Sequence, residues 1–499
     1  MFRAYILFLL RIIPAVSKVQ PGKGKSMSKE YDVAIIGAGT AGLTAQEEVV
    51  KHTDNYVLID DGPLGTTCAR VGCMPSKALI AVADDFHKCS FFDEYGINGA
   101  KGLVPNHKKI MARVRAMRDE FSGGVIQEMS GFMEKVIRKR ARFIDPNTLD
   151  LGNETIRAKS IIIATGSKPF IPDPWLRFKE FIIDTDQFFE LETLPQTMAV
   201  FGLGVIGIEL GQALHRLGVQ VTAVSRRKTA GGLTDPKLEE YAFDHFSKEM
   251  PIELGTAKIL GKTETGLEVG AGSRRWTVDR VLIATGRRPM LQGLNLESLK
   301  LDMDAKGMPV FDSETLQVGN LPVFLAGDVN GLKPILHEAA DDGTIAGYNA
   351  CVGTTTRFKK RIPLQITFSS PDIAIAGLSH KTLTEKGIDY VVGEASWEEL
   401  GRARMILGKA AGRARIYADP QRGRLLGAEI MAPAGEHMAH LLAWAMGANL
   451  TIKEILGMPF YHPVPEEALL DAFLQIAAQI KDPVPTPILK KIKDRSHGK

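Results

Sequence analysis

Two stretches of this chain repeat one plan: an apolar run, a glycine turn, a helical pattern, then a second apolar run. "YDVAIIGAGTAGLTAQEEVVK" leads to "NYVLID", which ends at Asp60, and "MAVFGLGVIGIELGQALHRLGVQVTAVSRR" fills residues 198–227. The turns read Gly37-Ala-Gly39-Thr-Ala-Gly42 and Gly202-Leu-Gly204-Val-Ile-Gly207. The first glycine of such a motif makes the tight turn. The second lets backbone N–H groups approach a pyrophosphate, and the third lets the helix pack on the strand. A lone motif of this kind is weak. Here a strand precedes each turn and a helix follows it, and Asp60 stands where a carboxylate can bond a ribose hydroxyl. The pattern predicts an α/β fold with two Rossmann-like dinucleotide-binding domains. Two dinucleotides are then expected, a tightly held flavin and an exchangeable nicotinamide.

Apolar strands ending in "ATG" also occur twice, in "IIIATGSKP" at 161–169 and "VLIATGRRP" at 281–289, each downstream of one glycine turn. The repeat is therefore of whole domains. From about residue 360 the pattern changes to strands of an antiparallel sheet and two apolar helices, "EHMAHLLAWAMGANL" and "EEALLDAFLQIAAQI". This reads as a separate α+β domain.

A length of 499 residues calls for two to four domains. Residues 1–26 carry +5 and residues 481–499 carry +4, so of the net +4 the body, 27–480, holds −5. A mildly acidic body argues against nucleic acid as a partner. The N-terminal "MFRAYILFLLRIIPAV" is cut by Arg11 and Pro14, too short and broken to span a bilayer. It is read as a mis-called start or an unstructured leader, with a membrane role as the minority reading, and no membrane partner is expected. Four cysteines do not make a disulfide scaffold, which points to a reducing, cytoplasmic setting.

Two of those cysteines, Cys68 and Cys73, lie in "GTTCARVGCMPSK". No second Cys or His pair stands nearby at ligand spacing, so no metal site is expected. A structural disulfide across four residues adds little to a large protein. A redox pair needs a helix start, whose dipole favours thiolate, and a nearby electron acceptor. "CMPSKALIAVADDF" reads as a helix beginning at Cys73, next to the strand that ends at Asp60. The redox reading is preferred.

With that segment the chain resembles the flavin-dependent pyridine nucleotide–disulfide oxidoreductases, most of all the dihydrolipoyl dehydrogenases. The likeness covers roughly 31–478 and extends to "VFLAGDV" at 323–329, "FSSPDIAIAG" at 368–377 and "YHPVPEEA" at 461–468. It implies an FAD-binding domain over 31–192, completed by 319–359, an NAD(P)-binding domain over 193–318, and a dimerisation domain over 360–478. Residues 1–30 and 479–499 are left as leader and tail.

The resemblance also implies roles. Gly37, Gly39, Gly42, Asp60, Thr67, Lys77, Thr165, Gly166, Gly327 and Asp328 would hold FAD. Gly202, Gly204, Gly207, Glu209, Arg226, Arg227 and Gly286 would serve NAD or NADP, with Glu209 also pairing Lys77 near the flavin. Cys73 would face the flavin as a thiolate and Cys68 would exchange with substrate. His462, oriented by Glu467, would be the base, supplied across a homodimer. The substrate would be a dihydrolipoyl group, free or on a carrier protein of a 2-oxo acid dehydrogenase or related complex. The alternatives are reduction of another disulfide or acceptor on the same frame, or a non-catalytic FAD-binding redox sensor.

Three departures stand out. Arg70 replaces the usual Asn, the first cysteine follows "GTT", and Pro465 and Glu466 sit beside the base. The last cysteine is Cys351, so there is no C-terminal pair of the mercuric-reductase kind.

Overall fold

The computed structural model describes residues 29–407 and 411–482. Most of the leader and of the tail lie outside the described residues. Strand Lys29–Ile36 begins two residues inside the stretch assigned to the leader. It is the centre of the first sheet, parallel to Tyr56–Ile59 on one side and to Thr155–Ile163 on the other. Val33, Ala34 and Ile35 are fully buried, as a strand covered on both faces requires. Val323–Leu325 joins this sheet, pairing in parallel with Ile161, Ile162 and Ile163. The chain thus leaves the first sheet, builds a second domain, and returns.

The first sheet carries an antiparallel edge, Thr148–Asp150 and Arg142–Asp145, whereas the second is parallel throughout, in the order Ile252–Leu254, Gln220–Ser225, Thr197–Phe201, Arg280–Ile283, Ile182–Ile183. The C-terminal sheet is antiparallel throughout, in the order Leu364–Thr367, Asp372–Gly377, Leu425–Ala432, Arg413–Ala418, Val391–Ser396. Helices Gly435–Gly447 and Ala468–Gln479 bury their apolar faces on it. A three-stranded antiparallel sheet, Lys258–Lys262 with Leu267–Ala271 and Arg274–Val278, leaves little signal in the sequence; its outer strands are short and partly polar.

The two "ATG" strands explain themselves structurally. Gly37 has φ +111°, and a Cβ there would meet the Ala164 carbonyl oxygen at 2.3 Å; Gly202 has φ +102°, and its Cβ would meet Ala284 O at 2.4 Å. Each alanine therefore directly follows a strand and lies beneath the first glycine of a turn, where only glycine fits.

The first fingerprint helix, Thr40–Val49, is held from the far side by helix Leu336–Cys351. A Cβ on Gly343 would lie 2.1 Å from Thr44 Oγ1 and 2.2 Å from Ala41 O, and one on Gly347 would lie 2.7 Å from Ala45 O. The helices meet backbone to backbone, which fixes the position of the turn at their end. Among the described residues no helix is long and apolar enough to cross a membrane.

Candidate active site

The loop before the dithiol is tightly wound. Gly65 has φ +108°, Thr66 has φ +60°, and the Thr66 hydroxyl accepts from Ala69 N–H at 3.2 Å to cap the short helix Thr67–Val71. Cys68 lies on that helix. Gly72 then breaks the chain, and Cys73 opens helix Cys73–Lys88, hereafter the redox helix. Pro75 falls in its first turn, where a missing N–H costs nothing. Both cysteines carry free thiols.

One turn on from Cys73, Lys77 Nζ reaches Glu209 at 2.9 and 2.7 Å. Glu209 belongs to the second fingerprint helix, Val205–Arg216, and is only 4% exposed. Its Oε1 also accepts Phe368 N–H at 2.9 Å, and the Phe368 ring lies 4.5 Å from Lys77 Nζ. A buried carboxylate needs such compensation, and stripping away its lysine would cost roughly 3–5 kcal/mol.

The two thiols titrate apart. The Cys68 thiol donates to Cys73, and with help from the Lys77 ammonium this lowers Cys73 to about 7, against burial and the Glu209 charge. Giving up that hydrogen, together with burial, drives Cys68 far up. Of the pair Cys73 is therefore the thiol that ionises first, its charged fraction rising as pH passes 7, and Cys68 is the one that keeps its proton. The redox helix N-terminus adds to the same preference.

A cavity of about 240 Å³ gathers Gly39, Thr67, Cys68, Cys73, Lys77, Gly166, Glu209 and Asp328. Asp328 accepts from Ser167 Oγ at 2.7 Å, and Ser167 in turn accepts from Arg287 Nε at 2.8 Å. A second cavity of about 810 Å³ is lined by Gly204 and Gly286 and by residues of the C-terminal sheet. The two share Thr185, Val205, Ile206, Arg287 and Pro334, so the start of the second fingerprint helix stands between them.

Other expected residues stand apart from these cavities. Gly37 and Gly202 form the turns behind the walls, Gly42 and Gly207 lie in the helices that follow them, and Gly327 opens the helical turn that carries Asp328. Thr165 donates its hydroxyl to Met290 O at 2.7 Å. Asp60 accepts from Ala38 N–H and Gly62 N–H, both at 2.7 Å, and Arg138 lies 3.6 Å away. Arg226 and Arg227 are exposed and form no ion pair among the described residues. His462 Nδ1 lies 2.8 Å from Glu467 Oε1, and Glu467 Oε2 accepts Val464 N–H at 3.1 Å. The hydrogen bond from His462 holds the Glu467 carboxyl below its usual range. His462 is 82% exposed and does not line the dithiol cavity within this chain.

Sequence reasoning missed Phe368 and Thr185. Phe368 acts through its backbone N–H, which every residue carries. Thr185 is buried and lines both cavities; nothing in "IIDTDQFF" marks it.

The architecture fits dinucleotides. Gly39 and Gly204 cap their helices with no side-chain bond, and a Cβ on either would meet nothing within 4 Å. Both lie on cavity walls, so helix-terminal N–H groups have open room for a phosphate.

The sequence profile of the pyridine nucleotide-disulphide oxidoreductases matches residues 31–343, and that of their dimerisation domain matches 364–473. The chain belongs to this family. It is an oxidoreductase, FAD-dependent, with a nicotinamide dinucleotide as substrate. A dihydrolipoyl dehydrogenase of Thermus scotoductus is 30% identical over 457 residues, 89% of this chain and 97% of the relative. A mercuric reductase of Staphylococcus aureus is also 30% identical, over 87% of this chain and 82% of the relative. Among solved structures, the flavoprotein disulfide reductase RclA from Escherichia coli aligns with TM-score 0.77 at 23% identity, over 90% of this chain and 99% of the other. That likeness is one of fold. The two enzyme classes match equally well, so identity alone does not separate their substrates.

Proposed function

We propose that this chain oxidises a dihydrolipoyl group, free or carried on a protein, to its disulfide with NAD(P)⁺ as hydride acceptor. We assign 31–192 and 319–359 to FAD, 193–318 to the nicotinamide, and 360–478 to a homodimer interface. The observation that supports this best is the dithiol itself, set at a helix start beside Lys77 and Glu209 where the two dinucleotide domains meet.

In the oxidised enzyme Cys68 and Cys73 form a disulfide. A substrate thiol loses its proton to His462 Nε2, which is free to accept because Nδ1–H donates to Glu467. The thiolate attacks Cys68 Sγ, the Cys68–Cys73 bond breaks, and Cys73 leaves as a thiolate supported by Lys77. The second substrate thiol then displaces Cys68, which departs with that thiol's proton, and the substrate leaves as a disulfide. Two electrons now rest on the cysteine pair and one proton on His462. Bound FAD supplies the two-electron relay from this dithiol to the nicotinamide. Gly39, Thr67, Gly166 and Asp328 would hold it, and Gly204 and Gly286 would hold the nicotinamide. An exposed His462 that does not line its own chain's dithiol cavity is what a base lent to a second subunit would look like.

Cys68→Ser should retain FAD and lose turnover with dihydrolipoamide, and His462→Gln should lose roughly 10²–10⁴-fold in the thiol half-reaction. Heterodimers of the two variants should regain activity, because one hybrid site is complete. An active Cys68→Ser enzyme would sink the exchange mechanism, and verified heterodimers without activity would sink the shared site. The mercuric reductase relatives support a second reading, NAD(P)H-driven reduction of another acceptor, although the chain's last cysteine is Cys351. Parallel assays with dihydrolipoamide, other disulfides, quinones and Hg(II) decide between them.

A further inference from the structure

The Lys77–Glu209 pair has a counterpart two turns further along the same helix contact. Arg216 closes the second fingerprint helix with its side chain only 4% exposed. Its Nη1 lies 2.6 Å from Asp84 Oδ1 on the redox helix, and its Nε lies 2.6 Å from Glu249 Oε1 on helix Pro236–Glu249. Lys77 and Asp84 are seven residues apart, and so are Glu209 and Arg216. Both pairs advance in the same order, so the helices run in the same direction, with two ionic rungs about 10 Å apart. The polarity inverts between rungs: the redox helix carries plus then minus, the fingerprint helix minus then plus. A slip of two turns would set Lys77 against Arg216.

The C-terminal domain closes the same face. Glu209, Gln212 and Arg216 share one side of their helix. Glu209 accepts Phe368 N–H at 2.9 Å, Gln212 Oε1 accepts Ser370 N–H at 2.9 Å, and Arg216 Nη2 donates to Ser370 O at 3.1 Å. Gln212 Nε2 further donates to Glu249 Oε2 at 2.7 Å and to Ser370 O at 2.9 Å. One helix face thus joins the dithiol's helix to the C-terminal domain.

We infer that the Asp84–Arg216 rung is a positioning pair: it fixes the register and rotation of the redox helix, and so aims Lys77 at Glu209 and at Cys73. The inference rests on the proposed role of Cys73 as a working thiolate. If the rung is broken, only the apolar packing of Leu79, Ile80 and Ala83 sets the rotation of that half of the redox helix. Lys77 then hydrates away from Cys73, and Glu209 is left less compensated. Both changes disfavour a thiolate at Cys73, so they act in one direction.

Several titrating groups surround the rung. Burial raises the Asp84 carboxyl, and Arg216, Lys88 and His87 face it and oppose the rise. Glu249 and His245 approach from helix Pro236–Glu249, His215 from the fingerprint helix, and Asp372 with Glu436 from the C-terminal domain. The readout must therefore be the thiolate itself rather than overall pH-activity.

The test uses the Cys68→Ser holoenzyme, in which Cys73 cannot form the disulfide and its thiolate absorbs at long wavelength against the flavin. The midpoint of that band is titrated with pH in Asp84→Lys, Asp84→Asn and Asp84→Glu. The first two should move the midpoint up by about half to one pH unit, which is about two- to five-fold less thiolate near pH 7. Asp84→Glu should return it toward the parent, and Asp84→Asn should move it far less when Glu209→Gln is already present. Should Asp84→Lys fail to fold, Asp84→Asn carries the test. A parent protein without a titrating band sinks the functional reading and the inference together. A parent band with unmoved midpoints in folded variants, even ones of lower melting temperature, overturns the positioning role alone.

Discussion

At the first glycine turn Gly37 N–H donates to Ile59 O at 2.8 Å, and at the second Gly202 N–H donates to Val224 O at 2.9 Å. A Cβ on Gly42 would sit 1.8 Å from Gly37 O, and one on Gly207 would sit 1.9 Å from Gly202 O. The turns are thus the same object built twice. Their surroundings differ. Beside the first, Asp60 ends its strand and folds back to take the Ala38 and Gly62 N–H groups. Beside the second, Ser225 ends the strand and uses its hydroxyl locally, on Arg227 O at 2.7 Å, leaving Arg226 and Arg227 exposed. One turn is closed by its own acid and the other opens onto free cations. We propose that the first turn serves the dinucleotide that stays and the second the one that exchanges.

The strongest way to break the comparison is to fill both turns. Gly42→Val and Gly207→Val each force a side chain onto backbone, at a cost of several kcal/mol. Gly42→Val should fail to retain flavin. Gly207→Val should purify yellow yet show no flavin reduction by NAD(P)H under anaerobic mixing. Loss of flavin from both would mean that the two turns do not act separately.

A smaller effect is expected at the open turn. Guanidinium groups suit a 2′-phosphate, and each charged contact is worth on the order of 1.5–3 kcal/mol. Arg226→Ala with Arg227→Ala should lower kcat/KM for NADP(H) about tenfold or more and leave NAD(H) nearly unchanged. NADP(H) should serve the parent enzyme at least comparably to NAD(H). If the ratio of the two cofactors stays fixed in the double variant, these arginines do not read the phosphate.

The smallest effect belongs to the closed turn. Asp60→Asn keeps the shape and loses the charge, weakening bonds to two N–H groups by about 1 kcal/mol. Equilibrium dialysis of flavin should show an affinity several-fold lower, with the KM for the nicotinamide unmoved. A change in that KM instead would reverse the assignment of the turns.

Much of this was legible in the sequence because it is local. A glycine turn needs its three glycines at fixed spacing, and "CMPSKALI" announces a helix start at Cys73, where helix Cys73–Lys88 begins. The antiparallel sheet after residue 360 was legible from its strand patterning. The contacts that cross domains were not. Nothing around Arg216 says that it will meet Asp84, 132 residues earlier, because a buried arginine and a solvated one look alike in a row of letters. Phe368 supplies Glu209 with a backbone N–H, which leaves no trace in residue type.

The contact of Gly343 and Gly347 with the first fingerprint helix has an evolutionary consequence. Most core positions let a lineage wander through residues of similar bulk, with neighbours adjusting over generations. Here the neighbour is main chain, which cannot be exchanged for something smaller, and a Cβ at Gly343 would fall 2.2 Å from Ala41 O. No other amino acid lacks that atom, so drift has no intermediate step between glycine and a displaced helix. Descendants of this chain should vary freely on the exposed face of Leu336–Cys351 while Gly343 stays as it is.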